Sequence, residues 1–292
     1  AWAFGDLGHR TVGAIADAQL TSETRAAVGS LLRSGETLAT VATWPDEVKR
    51  AKKNIGPLAH DAEAQRFNED FPDNREWHYV DLPLDTVVYS KGTVGSRHND
   101  IVQTIQRCIL VLESQAVQSH EMTKAQALRW LVHLLGDLHQ PLHLGSGYYQ
   151  FDAQRQARLI TEPQETAGKE GDHGGNLLFY TAEEQLHALW DDGLVKAVAN
   201  GRSYREVAHD LLAQGHQPAW EGTGSYHEWV NQWAVESIKI GKSAYDGLIL
   251  GAAQFGGDQN GLQKIVITLT PGYEQAAAQR VAQQLAKAGY RL

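Results

Sequence analysis

Apolar residues recur mostly at helical spacing along this chain. Val12, Ile15 and Ala18 share one face of a helix expected to follow His9, and Val28, Leu31 and Leu32 face inward from one starting near Thr21. Ile101, Ile105, Ile109 and Leu112 predict another, with Asn99 as its N-cap. Thr123 with Gln126, and Ser203 with Glu206, are capping boxes, in which two side chains satisfy the first free backbone N–H groups of a helix reciprocally. The first box opens the most apolar helix, which Pro141 ends or kinks. The second opens a helix that stops near Gly215, and Thr270-Pro271 begins a last one carrying Ala277, Val281 and Leu285, with Gly289 beyond its end. Strand signals are short, at 177–181 and 265–269, and the polar stretch 150–176 reads as a long loop. No fixed repeat is visible. The pattern predicts one mainly α domain with few short strands.

One stretch breaks the pattern. LVHLLGDLHQPLH, residues 131–143, sets His133, Asp137, His139 and His143 among leucines. An uncompensated charge inside an apolar helix costs several kcal/mol, or the group neutralises. His133 and Asp137 are four apart and project from one helix face, His143 can fold back past the proline, and QLHALWDD repeats the spacing with His187 and Asp191. ATWPDEVKR adds Asp46, WHYVDLP adds His78 and Asp81, and FGDLGHR adds His9. A lone buried histidine is ordinarily a hydrogen-bonded core residue, and an exposed His–Asp pair at this spacing is often no more than that. Two pairs, one inside a leucine-rich helix, point instead to divalent cations, because imidazole nitrogen and carboxylate oxygen are good zinc ligands. Asp81 stands apart from that set. His139 lies on another face and reads as core, while His60, His98, His120, His173, His209, His216 and His227 have no such context.

Composition narrows the choices. A single cysteine, Cys108, excludes both an intrachain disulfide and a cysteine zinc cluster, so a metal site must be built from His, Asp and Glu. The formal charge of −9 argues against a sequence-independent nucleic-acid coat, though bound metal can supply local positive charge. No apolar run of about eighteen residues is present, so no membrane span is expected. Ala1-Trp2-Ala3 has the small-x-small form left by a signal peptidase, which predicts a secreted or periplasmic protein.

FGDLGH (4–9), ATWPDEVK (42–49), WHYVDLP (77–83), LRWLVHLLGDLHQPLH (128–143), GDHGGN (171–176), QLHALWD (185–191) and WAVES (233–237) together resemble the S1/P1 nuclease family, which shares a superfamily with zinc-dependent phospholipases C. The pieces stand in family order from residue 4 to near the C-terminus, so the domain is read as 4–292. The resemblance implies a mainly α fold holding three Zn2+ ions at the base of a cleft. It places Asp46, His78, His133 and Asp137 on the first ion and His143, His187 and Asp191 on the second. His9 falls on the third, with Asp137 bridging. The family also gives that ion the amine and carbonyl of the mature N-terminal residue, typically Trp. Here Phe4 stands at that position, exposed if cleavage follows AWA; alternatively Ala1 is the terminus and reaches in over a longer loop.

The implied reaction is hydrolysis of single-stranded RNA and DNA to 5′-mononucleotides by a hydroxide held between ions, with 3′-nucleotidase action. Asp81 would orient or deprotonate the water. Lys49 would lie near the phosphate, with Arg50 beside it as a rival. Gly175 and Asn176 would bind the base; Tyr148 or Tyr149 could stack on it, although two tyrosines in a polar loop are more often simple packing. A monomer is expected. A phospholipase C on the same framework and a non-catalytic metal-binding protein are the alternatives; an open coordination position separates catalysis from storage.

Overall fold

The helix Lys124–His139 sits at the centre of the protein, with twelve of its sixteen residues buried. Its capping box forms as predicted: the Thr123 hydroxyl accepts from Gln126 N–H, and the Gln126 side chain accepts from Thr123 N–H. It ends at Gln140, and Pro141 begins the short 3₁₀ turn Pro141–His143. Around it pack Gly5–Gln19, Trp44–Ala51, Ile101–Glu113, Tyr226–Tyr245 and Tyr273–Arg291. This computed structural model describes residues 4–114, 121–169, 171–256 and 261–292. Ala1, Trp2, Ala3 and His120 therefore lie outside the described residues.

Strands are few and short among the described residues. Leu82–Pro83 pairs in parallel with Gly145–Ser146, joining the segment after Asp81 to the segment after His143. Tyr149–Phe151 and Ala157–Leu159 form a hairpin, so the stretch expected as a loop is partly paired. Leu262–Leu269 lies between Leu178–Phe179 and Leu248–Phe255 in a three-stranded sheet. The Leu248–Phe255 strand has no clear sequence signal, because Gly251, Ala252 and Ala253 interrupt its alternation where the register shifts.

Five local expectations are corrected. The first helix begins at Gly5, so His9 lies inside it, and Ala16 rather than Ala18 turns inward. The N-cap of Ile101–Glu113 is Asp100, not Asn99; its buried carboxylate accepts from Val102 and Gln103 N–H and from the Tyr89 hydroxyl. The last helix starts at Tyr273 and runs through Gly289 to Arg291. Gly289 is interior because a Cβ there would lie 2.4 Å from the Ile15 side chain, so its absence lets the first and last helices touch.

Gly289→Ala should therefore destabilise the protein by about 1–3 kcal/mol through overpacking, against the ~1 kcal/mol helix-propensity gain of alanine. Urea unfolding measures this; a stabilised variant would mean that the helices do not pack this closely.

Candidate metal centre

The buried polar residues of the central helix converge with those of five other segments. His9, His133 and Asp137 form one group, Asp46, His78 and His133 a second, and His143, His187 and Asp191 a third. Within each group the ligand atoms lie within 4.8 Å of one another. His9 stacks on His133 with ring centroids 3.8 Å apart. Gly136 makes room for it, since a Cβ there would meet His9 Nδ1 at 2.7 Å. Asp46 comes from the first turn of Trp44–Ala51, and His78 from the end of the 3₁₀ turn Asn74–His78. His187 and Asp191 lie where Leu186–Ala188 widens into a π-helical turn, Leu189–Gly193, a distortion frequent at functional sites.

Three imidazoles are oriented from behind. Nδ1 of His133 donates to Ala42 O at 2.7 Å, that of His143 to His78 O at 2.8 Å, and that of His187 to Gly174 O at 2.7 Å. A carbonyl accepts only, so each ring carries its proton on Nδ1 and turns an Nε2 lone pair inward, the tautomer a metal needs. Nε2 of His9, His78, His143 and His187 and Oδ1 of Asp137 are buried without a hydrogen-bond partner. Such orphans are rare in proteins and carry a desolvation penalty. Their spacing and chemistry fit divalent cations.

The electrostatics agree. Burial pushes Asp46 and Asp191 up, but Lys49 with the surrounding histidines outweighs it for Asp46, and His187 and His143 do so for Asp191. Both carboxyls end well below the usual range. Asp137 is lowered likewise, burial again opposing and His133 leading the pull. Burial, and then the Lys49 charge, push His78 down to about 3, leaving it neutral. His133 and His143 are raised against burial by the carboxylates they face.

Asp81 stands beside the groups, as expected. It shares a cleft of about 360 Å³ with Lys49, His78, Tyr79, His143, His173 and Asn176. Its Oδ2 accepts from Arg97 at 2.9 Å and its Oδ1 from the Ser146 hydroxyl at 2.9 Å. Burial raises it, but His173, Ser146 and Arg97 together hold it below the usual carboxylate range, so it stays ionised. Lys49 Nζ lies 2.6 Å from Asp46 Oδ1 on the cleft wall. Arg50 lines a neighbouring cavity and faces Asp6 at 3.5 Å.

Asn176 borders both cavities, and its amide donates to His173 O. Gly175 is buried; its N–H goes to Asp172, and its carbonyl accepts from His187 N–H. Phe4 has its ring buried in the core, and its carbonyl accepts from Gly8 N–H. The tyrosines take the packing reading and not the stacking one. Tyr148 and Tyr149 are buried, one bonded to Asp81 O and the other to the Asp172 carboxylate, so neither offers a face for stacking. His139 is core, as read, held by Leu135 O and Arg291.

Sequence reading missed several residues of the site. Gln140 donates to Asp191 Oδ1 at 2.6 Å and accepts from Leu142 N–H; its place in HQPLH was its only signal. Arg97, Ser146, Asp172 and His173 come from loops and a strand end, where no periodicity marks them.

The fold and site define a class: a mainly α-helical protein with imidazole–carboxylate groups, able to hold metal ions, gathered at the base of a cleft. Comparison with known proteins narrows it. The S1/P1 Nuclease family matches residues 4–292. Endonuclease 3 of Arabidopsis thaliana is 29% identical over 266 residues, covering 85% of this chain and 77% of its own. Nuclease S1 of Aspergillus oryzae is 26% identical, covering 100% and 90%, and Nuclease P1 of Penicillium citrinum is 24% identical, covering 99% and 95%. The chain belongs to the S1/P1 nuclease family and is a nuclease, a hydrolase with nucleic acid as its substrate. Among the described residues no helix is long and apolar enough to cross a membrane.

His133 belongs to two of the three groups and His187 to one. His133→Ala is therefore expected to lower bound transition metal more than His187→Ala, as read by elemental analysis of protein purified without chelator. Equal losses would mean that the groups do not share His133.

Proposed function

We propose that the protein is a zinc-dependent endonuclease that hydrolyses single-stranded RNA and DNA to 5′-mononucleotides and acts on 3′-nucleotides. The observation that carries this is the set of unpartnered, inward-facing imidazole nitrogens beside buried carboxylates, at the base of a cleft walled by Lys49, Asp81 and Asn176. Asp46, His78, His133 and Asp137 would hold one ion and His143, His187 and Asp191 a second. His9 with Asp137 and the Phe4 backbone would hold a third. Bound zinc supplies Lewis acidity and brings the pKa of a water to near 7.

The chain's own groups do the rest. Asp81, kept ionised and fixed on both oxygens, orients the attacking water and is placed to take its proton. Lys49 brings positive charge to the phosphate. Asn176 offers an amide to a base edge, with Gly175 holding the turn beneath it. A cleft of this size suits an unpaired strand better than a stacked duplex. A secreted or periplasmic location and action as a monomer are part of the same proposal.

Asp81→Asn should keep its metal and lose activity on single-stranded DNA by about 10²-fold or more; loss of metal in that variant would undercut the role given to Asp81. Phosphatidylcholine micelles in the same assay test the phospholipase alternative, and cleavage of lipid but not DNA would reverse the assignment. Because the net charge is −9, strand binding should depend on metal. Fluorescence anisotropy should show metal-stripped protein binding an oligonucleotide far more weakly than the zinc form, and equal affinity would contradict that dependence.

A further inference from the structure

Ser146 is fully buried, three residues past His143, in the two-residue strand paired with the segment that follows Asp81. Its hydroxyl accepts the Gly174 N–H at 2.7 Å and donates to Asp81 Oδ1 at 2.9 Å. The direction is fixed, because an amide N–H only donates and an ionised carboxylate only accepts. One hydroxyl thus joins the 171–176 turn to the carboxylate at the cleft. Gly174 is the only residue type that fits there: its φ is +62°, and a Cβ would lie 1.9 Å from Leu142 O.

The Ser146–Gly174 part of this link is anchored on both sides by Asp172, which is fully buried. Its carboxylate accepts from Gly147 N–H at 3.1 Å, next to Ser146, and from Gly175 N–H at 2.9 Å, next to Gly174. The hydroxyls of Tyr149, at 2.6 Å, and Tyr245, at 2.9 Å, complete its partners. Asp81's other oxygen is held by Arg97, whose side chain is partly exposed over the Tyr79 ring. Of the three side chains that face the Asp81 carboxylate, Arg97 and His173 are partly exposed, and only Ser146 approaches from the closed interior.

We propose that Ser146 is a positioning residue for hydrolysis, fixing Asp81 from its buried side and carrying to it the placement of the base-facing turn. This rests on the reading of Asp81 as the group that acts on the attacking water. Ser146 lies beneath the cleft and acts through Asp81.

The test is a double-mutant cycle on the zinc-loaded full chain, with kcat and KM measured on a single-stranded DNA oligonucleotide and metal content by elemental analysis. Ser146→Ala removes a hydrogen bond to a charged group and is expected to lower kcat about tenfold, with KM within about threefold and metal unchanged. Because Ser146 acts through Asp81, the double variant Ser146→Ala/Asp81→Asn should be no slower than Asp81→Asn alone. A parental kcat in Ser146→Ala overturns the proposal. So does a double variant slower by the full single-variant factor, which is what a merely structural serine gives. A parental kcat in Asp81→Asn sinks the Asp81 reading instead, so the silent single variant tells which idea failed. If Ser146→Ala does not yield folded protein, Tyr245→Phe loosens the same anchor and enters the cycle in its place. A small kcat loss that vanishes in the Asp81→Asn background supports the link, and an additive one overturns it.

Discussion

Three carboxylates and five imidazoles lie buried side by side at the base of a cleft, and the rest of the structure is arranged around that cluster. Asp137 is fully buried, with His9, His78 and His133 all turned toward it. Hydrogen bonds among these groups are incomplete, and several inward nitrogens have none. In a low-dielectric interior such a set is strongly unfavourable unless positive charge is shared among its members. Dications do this with few atoms and, at an open coordination position, also activate water. The same constraint that makes the interior costly thus makes it reactive.

The surrounding architecture holds these imidazoles still. Each of three histidines is pinned by a backbone carbonyl from a different segment: Ala42 at the entry to one helix, His78 at the end of a 3₁₀ turn, and Gly174 in a loop. Backbone carbonyls are good pins because their position follows from the fold and not from a rotamer. One residue often serves twice. His78 supplies a ring to one group and a carbonyl to His143, and the 171–176 turn supports His187 through Gly174 while presenting Asn176 to the cleft. The cleft-facing turn and the buried imidazoles therefore cannot drift independently, the kind of preorganisation a catalytic site needs.

Much of this was legible in the sequence, and the reason is local. Four-residue His–Asp spacing fixes a shared helix face whatever the helix packs against, so His133 with Asp137 and His187 with Asp191 could be paired from the text alone. Their placement in an apolar helix announced a burial problem that needed a cation. Capping boxes at Thr123 and Ser203, and the stop at Pro141, also follow from chemistry within one turn, and they formed as read. Ordered motifs from residue 4 to 237 carried the family.

Tertiary structure decided what depends on contacts between distant segments. Asn99 and Asp100 are equivalent as caps on paper; the Tyr89 hydroxyl and the buried setting favour Asp100. Gly289 looks like a helix stop until Ile15 is seen against it. Ser146 and Arg97 carry no periodic or motif signal, because their side-chain partners lie 16 to 65 residues away. Helix faces and caps are set by neighbours within a turn, so the chain text contains them; the setting of Asp81 is made by long-range hydrogen bonds that exist only once the segments have met.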